Sequence, residues 1–143
     1  MIFDAGDQVF HSTMKIVVDY IELDLGKSFL ESWKTRKSQS PTIVVEYFRL
    51  PKWKRLLRKS YWNKTFGVMC LNNLCKNTGN PEYCDWARRL RAVYLWYMED
   101  YLRRPDIALL IDHTAMKNES TRRYCEENIM LNEVILLRHG MWA

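Results

Sequence analysis

The sequence predicts an all-α protein, a single globular bundle of seven or eight helices folded about one hydrophobic helix near the middle of the chain. Three observations lead there. Apolar residues recur at i, i+3/i+4 spacing through most of the chain. The breaks between these runs carry proline, asparagine or glycine where helices start and stop. The composition, 143 residues with 48% hydrophobic and 13% aromatic content, suits one core of ordinary size spanning 1–143 and excludes a chain too polar to fold.

Each element follows in order. Ser12 or Thr13 serves as an N-cap for a helix of about 18 residues, striped by Met14, Val17, Val18, Ile21, Leu25 and Phe29. The polar stretch 34–41 reads as a loop. Residues 42–50 are β-branched and aromatic, open to strand or helix, and helix is preferred. Pro51 stops that element and suits the first turn of a short helix over 52–60, with Trp53, Leu56 and Leu57 on one side. The stretch 61–76 has little charge and is apolar on nearly all sides, with Gly67 at its middle, which places it at the centre of the bundle. Asn80, Pro81 and Glu82 form an N-cap, a proline at the first helical position and an acid at the positive helix end. The helix they open runs to about Arg104, with Trp86, Leu90, Val93, Tyr94, Tyr97, Met98 and Tyr101 recurring along it. A short apolar helix over 107–115 and a last amphipathic helix over 118–138, terminated by Gly140, complete the count.

No apolar run approaches the roughly 20 residues that cross a bilayer, and the first ten residues lack a basic leader, so a cytoplasmic protein is expected. Cys70, Cys75, Cys84 and Cys125 are separated by 4, 8 and 40 residues, with no C-x-x-C pair. They read as buried thiols in a reducing cytosol rather than as zinc ligands or a disulfide scaffold. No phosphate-binding glycine loop, dinucleotide fingerprint or H-E-x-x-H occurs, and the acidic pair Glu99 and Asp100 points about 100° apart on a helix. Cys70 or Cys125 could pair with His113 as a nucleophile, but nothing in the sequence brings them together. No cofactor, metal or catalytic residue is therefore expected, and the chain is not expected to be an enzyme.

Charge is uneven. Residues 33–64 hold ten bases against the single acid Glu46, a local balance of +9, while the remainder stands at −4. Such a concentration favours an acidic partner, whether nucleic acid, an anionic surface or an acidic helix.

Two short motifs carry a resemblance. Lys15-Ile16-Val17-Val18-Asp19-Tyr20-Ile21 resembles the opening homology motif of the Bcl-2 family of apoptosis regulators. Tyr61-Trp62-Asn63-Lys64 falls where that family has Asn-Trp-Gly-Arg at the start of its central hydrophobic helix, and 96–102 is similar to the family's sixth helix. The resemblance implies a Bcl-2-like bundle that inhibits apoptosis by sequestering the Bcl-2 homology 3 helix of pro-apoptotic proteins of the Bim, Bak or Bax type. The departures are specific. Asn63 replaces a glycine that lets a ligand approach. Lys64 replaces the arginine that grips the ligand's aspartate, keeping the charge without the fork. The second homology motif is absent between 106 and 124, the regulatory loop shrinks to 33–41, and no tail anchor is seen. Such a minimal member resembles virus-encoded survival proteins, acting in the host cytoplasm and reaching mitochondria through partners, with homodimerisation left open. The ligand-helix surface it implies comprises Tyr47, Phe48, Trp53, Leu56, Leu57, Asn63, Lys64, Gly67 and Leu71, with Lys52, Arg55 and Arg58 as a basic rim. The alternative is a basic helical protein that binds nucleic acid through 52–64, where bases alternate with Trp53, Tyr61 and Trp62.

Overall fold

Helical periodicity is realised throughout the computed structural model, which describes residues 5–34, 41–77, 79–104 and 113–141. Among them lie six continuous helices and no strand. The first, α1 (5–34), joins an α-helical stretch Ala5–Asp19, a π-helical stretch Tyr20–Leu25 and a second α-helical stretch Gly26–Lys34. Then come α2 (Thr42–Arg49), α3 (Lys52–Leu57) and α4 (Lys59–Asn77). Helix α5 (81–103) runs from Pro81 through a π-helical stretch Trp96–Asp100 into a 3-10 turn, Tyr101–Arg103. The last, α6 (His113–Met141), is 29 residues long. Of the expected short helix over 107–115, residues 105–112 lie outside the described residues, and 113–115 already belong to α6.

Several boundaries differ from the sequence expectation. Ser12 and Thr13 do not cap α1, because the helix is already formed at Ala5. Phe10 extends the apolar stripe upstream and is buried, while the Thr13 hydroxyl donates to the Val9 carbonyl at 2.8 Å, one turn back within the helix. Pro51 stands just before α3, its carbonyl accepting from the amides of Lys54 and Arg55. Gly140 does not terminate α6 through a left-handed turn, since the only glycine with positive φ among the described residues is Gly79. It is small because the Trp86 indole lies where a Cβ would stand. Asn80 caps α5 as expected, its Oδ1 accepting from the Glu82 amide at 3.0 Å.

The cysteines also differ. The turn through Gly79 brings the Cα atoms of Cys75 and Cys84 to 4.1 Å, and the two form a disulfide between α4 and α5. Cys70 and Cys125 are free. The expectation of four buried thiols therefore fails: Cys75 and Cys84 are bonded to each other, Cys70 is half-buried and Cys125 is exposed.

Two compact units divide the described residues, one built from residues up to Val17 and from Asp85 onward, the other Val18–Cys84. In the first, Phe10 meets Trp96 and Tyr97 edge-on, and Tyr97 stacks on Tyr101. His11 Nδ1 and the Tyr97 hydroxyl are hydrogen-bonded at 2.9 Å. Trp86 Nε1 donates to the Leu137 carbonyl at 2.9 Å, and Arg89 pairs with Glu133. Glu127 is buried in this unit and accepts from the Tyr101 hydroxyl. Tyr101→Phe is therefore expected to cost about 1–3 kcal/mol, because it leaves a buried carboxylate short of a donor. Urea unfolding measures it, and unchanged stability would show that Glu127 finds its satisfaction elsewhere.

In the second unit the core is Phe29, Val44, Trp62 and Phe66, with Tyr47, Leu50 and Met69 packed against it. Phe66 stacks between Phe29 and Trp62. The π-helical stretch of α1 sets the crossing with α4. Its extra residue per turn carries the buried stripe from Ile21 to Gly26 rather than Leu25, which is only half-buried. Gly26 and Gly67 then face each other, and a Cβ on Gly67 would stand 2.2 Å from the Ile21 carbonyl oxygen.

Candidate functional site

Of the basic segment, 33–34 end α1, 35–40, where most of the loop was expected, lie outside the described residues, and the remainder forms α2, α3 and the first turns of α4. Leu50, preceding Pro51, is held in the extended region at φ −72°, ψ 142°, which ends α2. Arg58, at φ −116°, ψ 34°, breaks α3 from α4. Tyr47 faces inward, with its ring edge-on to Trp62 and Phe66. The Trp62 indole N–H is buried without an acceptor in this core.

Helix α3 is the exception in the unit, for none of its six residues is buried. Trp53, Leu56 and Leu57, at i, i+3 and i+4, share one face and are 60%, 59% and 75% exposed. Phe48 at the end of α2 and Tyr61 at the start of α4 are exposed as well. The short helix is anchored instead by Arg55, whose Nε donates to the Leu50 carbonyl at 3.0 Å while its guanidinium lies 5.2 Å from the Tyr47 ring centroid.

The cations sit among these aromatics. The Arg58 guanidinium lies 4.3 Å from the Tyr61 ring centroid, and the Lys54 ammonium 5.4 Å from that of Trp53. Lys52, Lys54, Arg58 and Lys59 are exposed, whereas Arg55 and Lys64 are half-buried. Of the expected basic rim, Lys52 and Arg58 face solvent, and Arg55 is committed to holding α3 against α2. Lys54 and Tyr61 belong to the same surface although they were not among the expected ligand contacts; the charge run contained both.

Three of the expected ligand contacts are turned elsewhere. Asn63, Gly67 and Leu71 follow at i, i+4 and i+8, on one face of α4. That face packs internally: the Asn63 carbonyl is 3.3 Å from the Cβ position of Gly26, Gly67 abuts Ile21, and Leu71 is 1% exposed. The close approach that Gly67 permits is used by α1 of the same chain. Tyr47 contributes through its core face and its contact with Arg55, which leaves Phe48, Trp53, Leu56 and Leu57 as the exposed apolar residues of the expected set.

Burial pushes the Cys70 thiol up, which keeps it protonated and a poor nucleophile. Among the described residues there is no group of three or more His, Cys, Asp or Glu arranged to hold a metal ion, and no described helix is long and apolar enough to cross a membrane. No family model, curated protein or solved structure matches this chain.

Proposed function

We propose that the chain is an interaction protein that captures an acidic amphipathic helix on the α3 surface, and that the helix is the Bcl-2 homology 3 segment of a pro-apoptotic protein, held so that apoptosis is inhibited. The observation that carries this reading is the exposed apolar face of α3. A helix with nothing buried and half its residues large and apolar is costly in water, and covering each such side chain stabilises a complex by about 1.5–3 kcal/mol. An amphipathic ligand helix supplies the matching i, i+3/i+4 anchors. The surrounding cations of Lys52, Lys54, Arg58 and Lys59 suit a ligand whose polar side is acidic, raising the association rate and selecting against basic helices. The two motif resemblances support the identity of that helix, and the Bcl-2-like arrangement of the whole chain remains part of this proposal.

The test is titration of the full chain with Bim-, Bak- and Bax-type helix peptides, read by Trp fluorescence, at about 50 and 200 mM salt. Micromolar or tighter binding that largely survives the higher salt is expected. Lys64→Glu, which sets an acid near the ligand's acids, is expected to weaken it by about 2 kcal/mol, with a thermal melt alongside to confirm folding. Peptides that fail to bind at either salt defeat the proposal.

A second reading rests on the stacking of Arg58 on Tyr61 and Lys54 over Trp53 at the surface. These pairs could hold bases and phosphates of a single-stranded nucleic acid. It predicts oligonucleotide binding that falls steeply between the same two salt concentrations.

A further inference from the structure

The order of residues around α3 sets a cation on each border of its apolar face. Projected at about 100° per residue, Trp53, Leu56 and Leu57 fill an arc of about 100°, with Lys52 and Lys54 on its two borders and Arg55 about 150° from its middle. Arg55 is the side chain that reaches inward, to the Leu50 carbonyl and the Tyr47 ring. The arc therefore points away from the body, and all three of its side chains are more than half exposed. Phe48 before it and Tyr61 after it add exposed rings, with the Arg58 guanidinium against the Tyr61 face. No Asp or Glu occurs between 47 and 81. The acid preceding this stretch, Glu46, is two residues before Phe48 and so about 160° round α2 from it.

We infer that this surface rests on an anionic lipid bilayer, with Trp53, Leu56 and Leu57 immersed where headgroups meet acyl chains and Lys52, Lys54, Arg58 and Lys59 among the lipid phosphates. An apolar arc with a cation on each border is the arrangement by which an amphipathic helix lies in a membrane interface: the arc is immersed, and the lysine stems reach from its borders to the headgroups. Trp and Tyr rings suit that depth, being apolar in body and polar at one edge. A nucleic acid would meet the cations and the rings but offers no apolar medium to Leu56 and Leu57, and Leu57 is 75% exposed. A bilayer also yields to the shape it receives, so a helix with none of its residues buried needs no matching groove. Attachment through six residues is peripheral, since crossing a bilayer takes roughly 20. Each cation at such a surface strengthens binding about fivefold, which makes the attachment depend on anionic lipid. The inference does not rest on the ligand-helix reading. Side chains immersed in lipid are closed to a peptide, so the two occupants exclude each other.

Co-sedimentation of the full chain with vesicles tests this at about 150 mM salt, using phosphatidylcholine alone and phosphatidylcholine with about 30% phosphatidylserine. Binding to the anionic vesicles is expected to be about tenfold tighter, or more, than to the neutral ones. Lys52→Glu with Lys54→Glu should weaken it about twentyfold or more. Leu56→Ser with Leu57→Ser, which leaves the charge unchanged, should weaken it about tenfold. Circular dichroism and melting are expected to stay as in the unsubstituted chain for both variants. Absence of binding to the anionic vesicles overturns the inference, as does equal binding to the two kinds of vesicle. Binding that the leucine substitutions leave intact overturns it too, because cations alone would then adsorb the chain without immersion. A chain that ignores the vesicles and binds a single-stranded oligonucleotide overturns it in favour of nucleic acid. No peptide is present in any arm, so failure here leaves the ligand-helix proposal to its own titration, which contains no lipid.

Discussion

Gly67→Ala is expected to lower folding stability by about 3 kcal/mol, at the upper end of what overpacking a core costs. The added methyl would stand 2.2 Å from the Ile21 carbonyl oxygen and 2.8 Å from Ile21 Cγ2, and the first of these atoms is backbone, which no side-chain rotation can move aside. To admit it, α1 and α4 must separate, and the loss spreads to the neighbouring contacts of that crossing. Gly26→Ala provides an internal scale. Its methyl would meet the Asn63 carbonyl at 3.3 Å, a distance that a few tenths of an ångström of adjustment relieves, so a cost below about 1.5 kcal/mol is expected. Urea unfolding followed by circular dichroism reads both. Equal effects at the two positions, or a Gly67 variant as stable as the original, would show that the helices do not cross as closely as described.

The double substitution Leu56→Glu, Leu57→Glu is expected to reduce affinity for a pro-apoptotic helix peptide at least a hundredfold, or about 2.7 kcal/mol. Two effects combine: the ligand loses the apolar area of two anchors, and its acids meet two new acids where the surface was basic. Stability should change by less than about 0.5 kcal/mol per site, because both side chains already stand in solvent and leave no cavity. The contrast separates this surface from a folding defect. Peptide titration and a thermal melt on the same preparation decide it, and undiminished affinity removes α3 from the binding site.

The exposure of α3 was not legible beforehand. Trp53, Leu56 and Leu57 at helical spacing look the same in sequence whether they face a core or the solvent. The distinction depends on what lies opposite, and here Arg55 ties the helix down through Leu50 and Tyr47, so the apolar face is left outside. Gly67 and Leu71 show the converse. Their place in a central helix was readable, but the partner of their face was not, because the π-helical turn of α1 that brings Gly26 against Gly67 leaves no composition signature. Gly140 was misread for a related reason: a glycine near a helix end signals a terminator, and only the distant Trp86 reveals that it makes room for an indole.

What the sequence determined by itself was local. Apolar spacing established an all-helical chain, and Pro51 and the Asn80-Pro81-Glu82 cap marked boundaries the helices respect, because these depend on backbone bonds and side chains within a few residues. The uneven charge of 33–64 was equally legible. Tertiary structure alone decided which apolar faces are used up and which remain, which glycines serve close packing, and which two cysteines meet. Each of these depends on groups brought together from separate elements, and a single helix carries the same stripe whether or not anything comes to cover it.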